Sequence, residues 1–148
     1  MKWIKPIFII GITAAFAVTI LWFFLHGGPT DAETIRKNWK IDLTGESEDV
    51  YYKDTGPSFH GDGPRITIMK YPDFYAVRKA VSWKDGPSKE VESKVSEILT
   101  SELKVEAKYR PNFKTEYKYY FYKKDWLNTI CLIYKPSENC LYAVEDLY

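Results

Sequence analysis

The stretch EYKYYFYKKDWLNTICLIYKPSENCLYAVE, residues 116–145, decides the fold. It holds three runs, 116–123, 129–134 and 140–145, rich in the aromatic and β-branched residues that fit a pleated sheet. Two short links of turn-forming residues separate them, Asp125-Trp126-Leu127-Asn128 and Lys135-Pro136-Ser137-Glu138-Asn139. A parallel strand pair needs a crossover of a dozen or more residues, so links this short predict an antiparallel meander.

The second link also sets a register. If Lys135 pairs with Cys140, Cys131 lies opposite Val144. The two sulfurs then share a face but stand roughly 13 Å apart along the strands, at ~3.3 Å per residue. Bridging needs Cα atoms within ~7 Å. Two buried free thiols are the expectation, and only a longer loop or a bulge would allow a disulfide.

Working back toward the N-terminus, Leu103, Val105, Ala107 and Tyr109 alternate with Lys104, Glu106 and Lys108, which predicts a strand with one wet face. Val91, Val95, Ile98, Leu99 and Leu103 recur at helical spacing and predict the main amphipathic helix. Asp85-Gly86-Pro87-Ser88 would start it, with Pro87 in the first turn. Residues 72–83 fit a helix or a strand equally well. Residues 65–71 (RITIMKY) and 49–54 (DVYYKD) read as strands, joined by the Gly- and Pro-rich link 55–64. Residues 31–39 read as a short helix with Ile35 and Trp39 on its buried face. The order predicts an α+β, two-layer domain over residues 30–148, an antiparallel β-sheet packed against one main amphipathic helix.

Residues 1–29 read differently. The run 7–25 carries no charge, and as a helix it would extend roughly 28 Å, close to the ~30 Å hydrocarbon core of a bilayer. Trp3 and Trp22 lie toward its two ends, and Gly27, Gly28 and Pro29 stop it. Lys2 and Lys5 precede it, while Asp31 and Glu33 are the first charges after it. The positive-inside rule then expects a single-pass transmembrane helix in the cell membrane, the N-terminus cytoplasmic and the C-terminal domain outside. A cleaved signal peptide is the competing reading. It would want a shorter apolar run and a small-x-small cleavage site, where this run ends in bulky Leu21-Trp22-Phe23-Phe24-Leu25. Gly11, Ala15 and Thr19 form a small-residue stripe of the kind that lets helices pair.

Aromatic residues make up 17% of the chain, far more than a disordered chain carries, so the remainder is expected to fold around one core. With Lys2 and Lys5 set apart, the rest is near charge balance, and no nucleic-acid partner is expected. Locally, residues 42–54 are acidic and 104–124 are basic, which predicts one basic edge. The interleaved Lys and Tyr of 104–124 could meet nucleic acid, glycans or anionic lipid head groups; an ordinary exposed sheet face gives the same pattern.

The candidate binding residues are Phe59, His60, Asp62 and Arg65, in and just after the loop Phe59-His60-Gly61-Asp62-Gly63. His60 and Asp62 could act as an acid/base pair, with Arg65 as an anion contact. The competing reading is a turn in which Gly61 and Gly63 supply positive φ and Asp62 bonds the local backbone. A zinc site needs three or four ligands, and the other histidine is His26, so neither a metal nor a cofactor is expected. No nucleophile elbow, phosphate-binding loop or His-Glu-x-x-His motif occurs, and no catalytic residue is assigned.

The Phe59-His60-Gly61-Asp62-Gly63 loop before an apolar strand, with the closing segments Leu132-Ile133-Tyr134-Lys135-Pro136 and Asn139-Cys140-Leu141-Tyr142, resembles small uncharacterised proteins of Gram-positive bacteria. Those carry an N-terminal apolar segment and a short α+β extracytoplasmic domain. Where they often show Gly-Gly before the Phe, this chain has Pro57-Ser58. The resemblance implies a bacterial cell-envelope setting and brings no activity with it. The expected function is a membrane-anchored, non-enzymatic interaction module that binds a protein or an envelope polymer, in binding, sensing or an accessory role. The alternatives are an envelope hydrolase using His60 and Asp62, and a structural scaffold of a membrane complex.

Overall fold

A computed structural model describes residues 18–19, 30–43, 45–56 and 63–148. The chain divides into two compact units, 1–30 and 31–148. Nearly all of the expected membrane helix lies outside the described residues, among which no helix is long and apolar enough to cross a membrane.

The second unit is α+β, with one six-stranded antiparallel sheet and two α-helices. In chain order it runs α1 (Asp31–Trp39), β1 (Glu48–Asp54), β2 (Arg65–Lys70), a 3₁₀ turn (Phe74–Ala76), β3 (Lys84–Asp85) and α2 (Lys89–Glu97). A π turn (Ile98–Glu102) and a second 3₁₀ turn (Ala107–Tyr109) follow, then β4 (Lys118–Lys123), β5 (Thr129–Lys135) and β6 (Cys140–Asp146). The strands lie in the order β1-β2-β6-β5-β4-β3. The meander β4-β5-β6 is the one read from residues 116–145. Its register is also as read, with Lys135 opposite Cys140 and Cys131 opposite Val144. Both thiols are free.

The two-layer expectation is corrected. Both faces of the sheet are covered, giving three layers. Ile130, Leu132 and Tyr134 of β5 face α1, together with Met69, Leu141 and Ala143. Cys131 and Ile133 face α2, with Ile66, Ile68, Tyr142 and Val144. Every residue of β5 is buried. A strand covered on both faces needs apolar groups at both parities, which is why TICLIY is an unbroken apolar run. Each such side chain contributes about 1.5–3 kcal/mol on burial, so the layer that α1 adds is substantial.

Three further expectations change. Residues 103–109 form no strand. Leu103 and Val105 are buried in alternation, but Lys104 has φ 50° and ends the helix that precedes it. The N–H of Leu103 donates to Ile98 O and that of Val105 to Leu99 O, a C-terminal closure widened by the π turn. Pro87 does not enter the first turn of the helix, because Ser88 occupies the N-cap position of α2. Within 72–83 the chain makes a 3₁₀ turn and then loop, with Phe74, Val77, Ala80, Val81 and Trp83 packed on the α1 side of the sheet.

Tyr117 ties α2 to the sheet. Its hydroxyl donates to Glu92 Oε1 (2.5 Å) and accepts from Ser88 N (2.8 Å). Gly86 lies against its ring, and a Cβ there would stand 2.7 Å from Cε1.

Candidate functional site

Five strands end in a row. Pairing aligns Asp54 with Arg65, Arg65 with Glu145, Glu145 with Ile130, and Ile130 with Tyr122. The β1–β2 link opens from this end of the sheet. Asp54 Oδ1 accepts from Gly56 N (2.9 Å), and Gly63 N donates to Leu147 O (2.5 Å), so both feet of the link are held. Gly56 and Gly63 have φ of 95° and 118°, a region that glycine enters without Cβ strain. Phe59, His60 and Asp62 of the candidate set lie outside the described residues.

Arg65 is the candidate residue whose place is described. It opens β2 half-buried, with its Nε 3.8 Å from Glu145 Oε2. The Glu145 side chain is only 1% exposed. Its Oε1 accepts the indole N–H of Trp39 at 2.6 Å, and Asn38 bonds it as well. Burial pushes the Glu145 carboxyl above its ordinary value, while Trp39, Arg65 and Asn38 pull the other way. Asp31, at the start of α1, is raised by burial and by Asp49 and lowered by Arg65. The helix α1 therefore crosses the sheet near this end, from Asp31 beside Arg65 to Trp39, whose ring meets Tyr122 edge-on at 6.4 Å.

Glu145 escaped the sequence reading. Leu141, Ala143 and Glu145 share one parity of β6, so the acid sits where the core face continues. An acid at the core parity of an apolar strand was the available signal. The arrangement is that of a polar latch. A carboxylate closed off from solvent cannot reach a substrate, and its partners are an indole, an amide and a guanidinium rather than a nucleophile. Among the described residues no group of three or more His, Cys, Asp or Glu is placed to hold a metal.

The basic run 104–124 does not form one edge. Lys108 pairs with Glu106, Lys118 with Asp85, and Arg110 turns inward to donate to Val105 O (2.7 Å). Lys123 and Lys124 stand apart, at the β4 end of the latch row. At the opposite end of the sheet, Glu46, Ser47, Glu48, Lys70, Tyr71 and Pro72 line a shallow cleft of about 320 Å³.

No protein-family model, curated protein or solved structure matches this chain.

Proposed function

We propose that this protein is a single-pass membrane protein whose extracytoplasmic α+β domain works as a non-enzymatic interaction module. One observation carries the reading: an uncharged run of membrane-spanning length, residues 7–25, stops a few residues before α1 begins at Asp31. Lys2 and Lys5 before the run favour a cytoplasmic N-terminus. The module reading draws on the latch as well. Glu145 is buried and occupied in joining α1 to the sheet through Trp39, with Arg65 beside it at 3.8 Å. The partner class is a protein or an envelope polymer.

Alkaline carbonate extraction of membranes from cells making the full chain tests the anchor, and protease added outside intact cells tests the orientation. The protein is expected to stay in the pellet, with its C-terminal domain digested from outside. A protein recovered free and shortened by the apolar run would instead mark a cleaved leader. Pull-down of the full chain in detergent then reads the module function through a stoichiometric partner.

A further inference from the structure

β1 is an edge of the sheet, with β2 on one side and, among the described residues, no strand on the other. In an antiparallel pair alternate residues bond to the neighbour, so about three residues of this strand turn N–H and C=O outward. Such a row is a template for another extended chain, and natural edges are often blunted by a bulge or by lysines. In β1 the register with β2 slips once, at Val50, but from Tyr51 to Asp54 the pairing is regular. Val50 and Tyr52 are 45% and 47% exposed.

The two faces of β1 differ in charge. Toward α2, Tyr51 stacks on Tyr109 with ring centroids 3.8 Å apart, and Lys53 Nζ donates to Lys104 O (3.1 Å). Both side chains therefore turn back onto the domain. Toward α1 lie Asp49, opposite Met69, then Tyr52 and Asp54, with Asp31 of α1 beside them. Asp49 and Asp54 are exposed. The Gly56 N–H and the Tyr52 hydroxyl hold the Asp54 carboxyl below its ordinary value, so it is ionised at neutral pH. Arg65 is the cation that acts on Asp31, Tyr52 and Asp54. It stands one strand in from the edge, 15% exposed and 3.8 Å from Glu145. Three acids and one shared cation leave this face negative. A second copy paired edge to edge would set its own Asp49 and Asp54 on the same face, adding like charge, whereas Lys or Arg on a foreign strand would meet opposite charge.

We infer that β1 is a docking edge for an extended basic segment of a partner protein, which adds a strand to the sheet and sets Lys or Arg side chains over Asp49, Tyr52 and Asp54. The inference rests on the interaction-module reading and names its partner's chemistry. It takes nothing from the anchor, because every residue it uses lies in 31–148.

A short labelled peptide alternating Lys and Val, titrated into the full chain in detergent at low salt, tests it by fluorescence anisotropy. Saturable binding is expected, with slowed amide exchange over residues 48–54. Methylating the backbone nitrogens of the peptide keeps its charge, removes its donors and should weaken binding at least about tenfold. A Glu/Val peptide should not bind, and Asp49→Asn should weaken the Lys/Val peptide roughly two- to fivefold, as for one exposed ion pair. Equal binding of the methylated peptide would mean attraction by charge alone and overturns strand addition. Equal binding of the Glu/Val peptide overturns the basic partner. A dimer in sedimentation, with residues 48–54 protected, gives the edge to a second copy instead. A stoichiometric pull-down partner that leaves 48–54 exchanging freely overturns this inference and leaves the module reading standing. Failure of both the peptide and the pull-down removes both.

Discussion

The Trp39 indole N–H donates to Glu145 Oε1 at 2.6 Å, joining the first helix of the domain to its last strand across 106 residues of chain. The bond fastens α1 over the latch row, and α1 in turn buries Ala32, Ile35 and Trp39 on the sheet. In Trp39→Phe the ring would still fill much of the space, but Glu145 would lose its donor inside the protein. A buried acceptor left without its partner costs about 1–3 kcal/mol. Urea unfolding of Trp39→Phe should show a loss of that size. Combining it with Glu145→Leu, which removes the acceptor, should give less than the sum of the two, because the same bond is removed twice.

Glu145 should also give stability a pH dependence of known sign. Its folded carboxyl is raised, so the folded state holds the proton at pH values where the unfolded chain has released it. The contribution is complete below the unfolded value of 4.5 and is lost as pH rises through the folded value. Stability of wild type relative to Glu145→Gln should therefore fall as pH climbs from 4.5 and then level off. A difference that rose over that window would contradict the burial described for this side chain.

Lys135 is fully buried at the end of β5, where its ammonium donates to Asn112 O (2.6 Å), Glu116 O (3.0 Å) and Thr115 O (3.1 Å). It also meets Thr115 Oγ1. Three backbone carbonyls of the loop before β4 are thus gathered on one cation. Lys135→Met should keep the aliphatic stem and orphan those carbonyls, at about 1–3 kcal/mol. Hydrogen exchange should quicken over residues 112–117 first, ahead of any change in β5 itself.

Gly86 is set by the Tyr117 ring rather than by its own backbone conformation. In Gly86→Ala the new Cβ would meet that ring, which must shift and loosen its bonds to Glu92 and Ser88. A loss of about 1–3 kcal/mol is expected, as for overpacking in a filled core. Tyr117→Phe should relieve none of the clash and should lose the Glu92 bond as well. Thermal unfolding of the two single variants and the double variant reads both effects.

The thiols give a chemical test of the β5–β6 register. Burial pushes the Cys131 thiol up to about 12, and Cys140 is raised by burial too. Neither should react quickly with a thiol reagent near neutral pH, since the thiolate is the reactive form. Four residues of register separate them, so mild oxidation of the folded protein should form no bond between them. Denaturant should release two reactive thiols together.

What residues 116–145 determined alone is local in origin. Short turns allow only antiparallel return, and the Pro136–Asn139 link sets which residues face each other, so the meander and its register follow from a window of thirty residues. The helical spacing of Val91, Val95, Ile98 and Leu99 likewise marks one buried face without reference to anything distant. Tertiary structure decided the remainder. Alternation at Leu103 and Val105 describes burial, and burial under a helix end looks the same in sequence as burial in a strand until hydrogen-bond partners exist. Whether β5 is covered on one face or two depends on where α1 lands, and α1 is brought there by Trp39 reaching a carboxylate near the far end of the chain. Arg65 stood out beside its loop and Glu145 carried only the signal of its core parity, but their partnership could not be read, because the two become neighbours only when β2 pairs with β6. Local propensity is written in adjacent residues, whereas the pairing of distant strands and the charges that share a buried site exist only once the chain has closed on itself.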